Sequence, residues 1–466
     1  MFGAGAVHWA PLMVAAGRAA PRGPGQFHPI MWVDIAIFLL TYAGLAFGHL
    51  PGLKTDRTGI AMLGAIAILL LGRMTFPQAM HSISFSTLAL LFGLMMISSQ
   101  LHLAGFYRGV IDHILRLDGR PWTTLITIVV VGAALSALFA NDIVCLVFTP
   151  VLCIAMKRCG RDPIPYLIAM VTGSNIGSAA TLIGNPQNML IGQTAHIAFG
   201  RYTLIAAPLV IICLAIDVLA VALVYRKRIF AGNGNGANAP EQAAGRQGGK
   251  GRESTDSGGG GGDDSGQRVD RQSIFKTLVI MLALLVLFVI GRNFGLHRDV
   301  AALGAAGLLL LTRKHETQEL IAHVNWKLAL LLIGLFIVIG DLELHGLLQM
   351  GLAALKHMGI HISHPWPLTA VTVALSNVAS NVPAVLLLIP GIQAHGGRAE
   401  NSWMILAVVS TFAGNFCLLG SIANIIVAEQ ARAQKVKISF WEFSKVGIPV
   451  TIISAGLAGL YLSFVR

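Results

Sequence analysis

Leu135-Ser136-Ala137-Leu138-Phe139-Ala140-Asn141-Asp142-Ile143-Val144 and Leu375-Ser376-Asn377-Val378-Ala379-Ser380-Asn381-Val382-Pro383-Ala384 are one stretch written twice, each running on to a proline, Pro150 or Pro390. The offset is a constant 240 residues, from Ser136 to Ser376, from Asn141 to Asn381 and from Pro150 to Pro390. Each copy sets amides and hydroxyls in the middle of an apolar run, where a polar group left without a partner costs about 1–3 kcal/mol. Asn and Ser suit a tight turn between two helices, because they accept turn conformations and hydrogen-bond freed backbone. The stretch therefore predicts a helical hairpin with a polar tip, present once in each half of the chain.

The register extends outward from the hairpins. Leu91-Phe92-Gly93-Leu94 and His102-Leu103-Ala104-Gly105 are echoed by Leu332-Ile333-Gly334-Leu335 and Glu343-Leu344-His345-Gly346, at an offset of 241. Beyond the hairpins, Gly173-Ser174-Asn175 returns as Ala413-Gly414-Asn415. Gly184-Asn185-Pro186-Gln187-Asn188 returns as Gly420-Ser421-Ile422-Ala423-Asn424 at an offset of 236, so the first half carries four extra residues there. Gly173, Gly177 and Gly184 predict a helix that unwinds, and Pro186 removes a backbone donor and disfavours helix at Asn185.

Composition sets the medium. The 466 residues are 55% hydrophobic and 12% charged, with a mean hydropathy of +0.72. A soluble globular protein carries roughly 25% charged residues. The apolar runs are continuous and near 20 residues long, which means membrane-spanning helices. The expected spans are 30–50, 58–74, 85–104, a hairpin at 122–157, 165–192 and 203–225, then 273–291, 297–312, 328–349, a hairpin at 366–390, 402–428 and 446–464. The domain plan is an N-terminal extension at 1–28, a first transmembrane repeat at 29–230, a flexible cytoplasmic linker at 231–272 and a second repeat at 273–466. The linker holds 13 glycines in 42 residues and no apolar period.

Net charge is +12. If each hairpin enters and leaves on the same side, each half crosses five times and the halves are inverted. Loops 51–57, 105–121, 157–164, 226–276, 313–327 and 429–445 then share one face and hold 24 of the 33 Lys and Arg, which puts that face in the cytoplasm. The basic charge reads as positive-inside loops beside lipid, not as a nucleic-acid surface, since no basic-aromatic patch accompanies it. The five cysteines form no C-x-x-C pair and read as small buried hydrophobes. No H-E-x-x-H, Walker loop or G-x-S-x-G motif is present, which argues against an enzyme and a built-in ATP motor and leaves a partner ATPase open.

The Asn-Asp hairpin, the run from Gly173 to Asn188 and the second-half Gly420-Ser421-Ile422-Ala423-Asn424 resemble the Ion Transporter superfamily, most closely its arsenite permeases and citrate-transporter-like anion permeases, and more distantly sodium-dicarboxylate symporters. The resemblance spans about residues 30–464 apart from the linker. It implies an all-α polytopic membrane protein of two inverted repeats, each of about five transmembrane helices with a re-entrant hairpin and a broken helix. It further implies a midplane site, alternating access, a multi-pass protein of the cytoplasmic membrane and, in many members, a homodimer. The dicarboxylate branch carries Ser-Asn-Thr at both tips. Here the tips read Ala140-Asn141-Asp142 and Ser380-Asn381-Val382, which shifts weight toward arsenite-like or other oxyanion transport.

Hairpin tips and helix breaks offer free N–H groups to anions and free C=O groups to cations. The candidate substrate site is Ser136, Asn141, Ser174, Asn175, Thr181, Asn185 and Asn188 from the first half, with Ser376, Ser380, Asn381, Asn415, Ser421 and Asn424 from the second. Any single Ser or Gly here can be a helix-packing residue; the fourfold asparagine set carries the expectation. Asp142, at a tip, and Asp217, mid-span, are the candidate ion-coupling residues, for a proton or for sodium near Asn141, Asp142 and Asn381. No other metal or cofactor is expected. Asp341, Glu343 and His345 read as an interfacial salt-bridge group. The leading function is a secondary transporter of a small anion or oxyanion. The competing one is a sodium/proton antiporter on the same fold.

Overall fold

The computed structural model describes residues 29–47, 55–116, 121–230, 269–311, 316–394 and 400–464. Every regular element among them is helical. The first half runs α1 (Pro29–Phe47), α2 (Arg57–Leu70), α3 (Phe76–Ser82), α4 (Phe85–Leu103), α5 (Phe106–Arg116), α6 (Pro121–Leu138), α7 (Asn141–Arg158), α8 (Pro163–Ser178), α9 (Pro186–Thr194), α10 (Phe199–Val224) and the short α11 (Arg226–Phe230). The second runs α12 (Arg271–Ile290), α13 (Arg298–Leu310), α14 (Thr317–Ala322), α15 (Trp326–Leu344), α16 (Leu347–His357), α17 (Pro365–Ala379), α18 (Asn381–Ala394), α19 (Glu400–Ala413), α20 (Ile422–Ala433) and α21 (Phe440–Phe464). From α1 to α10, each helix has its counterpart from α12 to α21 in the same order. Expectations for 1–28 and for 231–268 fall outside the described residues, and α12 already begins at Arg271.

The halves exchange helices reciprocally. α2 packs on α15, and α13 packs on α4. A Cβ added at Gly93 would stand 2.6 Å from the Ala302 backbone, and one at Gly334 would stand 2.7 Å from the Ala61 backbone. Both members of this contact pair obey the 241-residue offset. In lipid, helices gain nothing by hiding apolar surface from each other, so such close approach through small residues is what holds the halves together.

α4, α6, α10, α12 and α21 are each long and apolar enough to cross a membrane. α15 and α16 together are also long and apolar enough to cross, with a bend of 73° between them. α5 and α16 lie in segments read from sequence as loops. They are amphipathic, burying Tyr107, Ile111 and Ile114 in one and Leu348 in the other, so a search for unbroken apolar runs passes over them. Each follows a glycine with positive φ, Gly105 (φ 76°) or Gly346 (φ 71°), where the chain turns off its long helix.

The hairpins and broken helices lie where the residues put them. α6 turns into α7 at Phe139–Ala140, and α17 into α18 at Ser380. Arg161, just beyond α7, donates from Nη1 to Thr124 Oγ1 near the start of α6 at 3.2 Å, so the first hairpin leaves beside its entry. The expected span 165–192 breaks over residues 179–185, and 402–428 breaks over 414–421. Gly173 and Gly177 do not unwind. They lie inside α8, where Gly177 lets Ala133 of α6 come close. The four extra residues of the first half do not enlarge its break but extend α8 by about one turn beyond the point where α19 ends.

Candidate functional site

Four of the asparagines expected at the site, Asn141, Asn175, Asn415 and Asn424, are joined to one another through Asn175. Asn141 Nδ2, on the first residue of α7, donates to Asn175 Oδ1 at 2.9 Å. Asn175 Nδ2 donates across the repeat to Asn415 Oδ1 at 2.8 Å and to Asn424 Oδ1 at 2.9 Å. Asn415 returns the link from Nδ2 to the Thr172 carbonyl at 3.1 Å. Asn424 Nδ2 donates to the carbonyls of Gly414 (2.7 Å) and Cys417 (3.0 Å) within the second break. An amide has two donors and an acceptor with two lone pairs, which suits it to freed backbone at a helix break. This lattice is buried and pins the broken helix of each half to the other.

The remaining candidates form flanking groups. Ser136 and Ser174 share a hydrogen bond of 2.6 Å. Thr181 Oγ1 donates to the Ala137 carbonyl at 2.5 Å, and the Asn141 N–H donates to the Gly184 carbonyl at 3.2 Å, so the first break grips the first hairpin. Asn185 Oδ1 caps α9 by accepting from the Asn188 N–H at 2.9 Å. Asn185 Nδ2 reaches Ser178 Oγ (3.0 Å) and, in the other half, Thr411 Oγ1 (3.1 Å). Asn188 Nδ2 donates to the Thr181 carbonyl and to the Tyr202 hydroxyl, both at 3.2 Å. With its amide oriented to satisfy both ends, Asn381 donates to the carbonyls of Ser410 (3.1 Å) and Gly420 (3.3 Å). Ser376 Oγ is buried without a partner. Ser380 forms the second tip at φ 76°, ψ 161°, and Ser421 precedes α20 without a side-chain cap.

A cavity of about 1360 Å³ opens among the basic loops. Asp56, Arg57, Arg108, Arg158, His323, Lys327 and Gln434 stand around it, and one stripe of α7 forms a wall from Arg158 inward through Ile154, Val151, Val147 and Ile143 to Asp142. At 1.5 Å per residue the stripe is about 24 Å deep. α20 supplies the facing wall through Ile422, Ile425, Ile426 and Glu429. Of the substrate and ion candidates named from sequence, Asp142 alone lines this cavity. It is 8% exposed and has no hydrogen-bond or ion-pair partner among the described residues.

Asp217 is placed elsewhere. It is fully buried on α10, which packs behind α8, and neither of its oxygens has a hydrogen-bond partner. The neighbouring Thr172 hydroxyl bonds the Ile168 carbonyl at 2.8 Å instead. Asp341 and His345 join the salt-bridge group expected of them, with two members the sequence reading missed, while Glu343, named with them, makes no ion pair among the described residues. Arg73, in the turn that follows α2, grips buried Asp34 with Nε at 2.6 Å and Nη2 at 2.8 Å, and His345 Nδ1 lies 3.2 Å from Asp341 Oδ1. Asp34, Asp341 and His345 converge closely enough to hold a metal ion, but Arg73 occupies both oxygens of Asp34, so the group reads as an ionic clasp between α1 and α15.

The sequence reading also missed Thr411, Thr172 and Arg57. Thr411 and Thr172 carried no visible signal. Arg57 did: Arg298 lies 241 residues on, the offset already found for α4 and α15.

The chain is similar to known membrane transport proteins. The profile of the citrate transporter family matches residues 42–413. A 46 kDa membrane protein of Mycobacterium leprae is 30% identical, over 92% of this chain and 97% of its own length. The silicon efflux transporter LSI3 of Oryza sativa subsp. japonica is 29% identical, over 87% of this chain and 92% of its own. The putative transporter arsB of Dictyostelium discoideum is 23% identical, over 92% and 90%. Among solved structures, the Alcanivorax borkumensis YdaH transporter covers 93% of this chain and 96% of its own, at 14% identity and a TM-score of 0.48. With most of its length matched by that profile, and with its paired hairpins and broken helices, the chain belongs to the citrate transporter family of membrane transport proteins.

Proposed function

We propose that this protein is a secondary active transporter that carries a small anion or oxyanion, citrate- or dicarboxylate-like or arsenite-like, across the cytoplasmic membrane by alternating access. The observation that carries this reading is the one-sided cavity along α7, which ends at Asp142 beside the helix breaks. A pore would be open at both ends, whereas the opposite face bears the Asp34–Arg73 and Asp341–His345 clasp. The excess of Lys and Arg around the mouth supports reading this as the cytoplasmic-open state. Asp142 is the coupling group. A carboxylate beside an anion path is tolerable only when a proton or cation neutralises it, so loading it and loading substrate are linked.

A second reading has its own support. The tip amides are spent inside the protein, Asn141 on Asn175 and Asn381 on the Ser410 and Gly420 carbonyls, and Asp142 is the site candidate that lines the cavity, as a sodium/proton antiporter would require. Proteoliposomes separate the two. Uptake of arsenite, phosphate, sulfate, citrate and succinate is measured with and without sodium and pH gradients. Gradient-dependent accumulation of one of these supports the anion transporter. Sodium-driven proton flux without movement of any of them establishes the antiporter.

A further inference from the structure

Arg57 opens α2 on the wall of the cavity. Its guanidinium makes one long hydrogen bond, from Nη2 to the Leu419 carbonyl at 3.4 Å, while Nε and Nη1 are buried without a partner. Among the described residues no carboxylate lies within ion-pair distance of it. Its neighbour Asp56 is engaged elsewhere, accepting from the Gly59 N–H at 3.0 Å and facing Lys327 at 3.6 Å. Arginine does not shed its proton in proteins. A half-buried positive charge with two idle donors is costly unless a counter-charge arrives. The repeat supplies a control: Arg298, the equivalent residue of the second half, donates from Nη2 to the Gly192 carbonyl at 2.5 Å.

We propose that Arg57 is a substrate ligand and that the substrate is therefore a charged carboxylate or oxyanion, not a neutral hydroxide such as undissociated arsenous or silicic acid. This rests on the transport reading above and narrows it. The planar guanidinium fork matches a carboxylate or oxyanion bidentately. Arg57 lines the cavity, and a rotamer change of the long side chain turns its idle nitrogens onto the entering anion. Leu419, which now holds Nη2, lies in the second helix break. Binding the anion frees that carbonyl, so occupancy is felt by an element that must move.

The test uses the purified full-length chain, with citrate and sulfate as anionic probes and silicic acid as the neutral one. Affinity is measured by calorimetry and stability by thermal melting. R57Q should bind citrate at least tenfold more weakly than wild type. Without ligand it should melt at the same temperature or higher, because an unpaired buried charge has been removed. R57K keeps the charge but loses the fork and should bind citrate three- to tenfold more weakly. Citrate affinity within twofold of wild type in R57Q overturns the proposal while leaving anion transport standing. If R57Q does not fold, R57K decides, and wild-type affinity in R57K overturns it. If wild type binds silicic acid but neither citrate nor sulfate, the anion reading falls and the role of Arg57 falls with it.

Discussion

The two hairpins share one register in sequence and are opposites in environment. Leu146 on α7 is 43% exposed, and Leu386, its equivalent on α18, is 6% exposed. The tips differ as well. Ala140 has an ordinary backbone at φ −55°, whereas Ser380 sits at φ 76°, ψ 161°, a region almost reserved for glycine that costs about 1–3 kcal/mol. Asp142 follows the first tip and Val382 the second. The alternating access proposed above, in which each half adopts in turn what the other now shows, would account for the difference in exposure. It does not account for Asp142, which is a difference in chemistry.

Four experiments press on that contrast. The largest effect is expected at Asp142, where the halves differ in kind. Asp142→Asn keeps the shape and removes the charge, and it should abolish gradient-driven accumulation in proteoliposomes while substrate exchange remains measurable. Accumulation with unchanged pH and sodium dependence would make Asp142 structural and shift attention to Asp217.

The asparagine lattice comes next. Asn175 makes three of its side-chain hydrogen bonds, two of them across the repeat. At about 1 kcal/mol each, Asn175→Ala should lower unfolding stability by about 3 kcal/mol. Asn381→Ala, which loses bonds within its own half, should lower it by about 2 kcal/mol. Equal losses in denaturant melts would show that the lattice does not hold the halves together.

The exposure difference itself is tested by cysteine labelling. From the side of the basic loops, Leu146→Cys should react with a water-soluble maleimide at least tenfold faster than Leu386→Cys. Equal rates in sealed vesicles of known orientation would remove the one-sided cavity. The smallest effect is expected in the segment joining the halves: replacing residues 236–266 by a short Gly/Ser run should leave transport near wild type. Complete loss of transport in a normally inserted protein would reveal a role that its glycine content hides.

Much of the architecture is legible in the residues themselves. The constant offset of 240 or 241 residues places both hairpins, both broken helices and the acid that only one tip carries. These are properties of the covalent pattern. Apolar runs, breakers and register are local or periodic, and they hold in every state that a two-state protein visits. The amphipathic helices α5 and α16 escaped because polar residues interrupt each and both are only 11 residues long. The one-turn extension of α8 escaped because an insertion is visible in sequence while its conformation is not.

Tertiary structure alone decided the rest. The asparagines announced a site, but only packing shows that Asn175 spends its amide on Asn415 and Asn424, and that Asp142 is left facing the cavity. Hydrogen-bond partners more than 200 residues apart depend on distances that no local pattern encodes. Nor could the repeat say which half stands open. Contacts such as the Arg73 grip on Asp34 make the two faces differ, and the repeat in the sequence does not supply them.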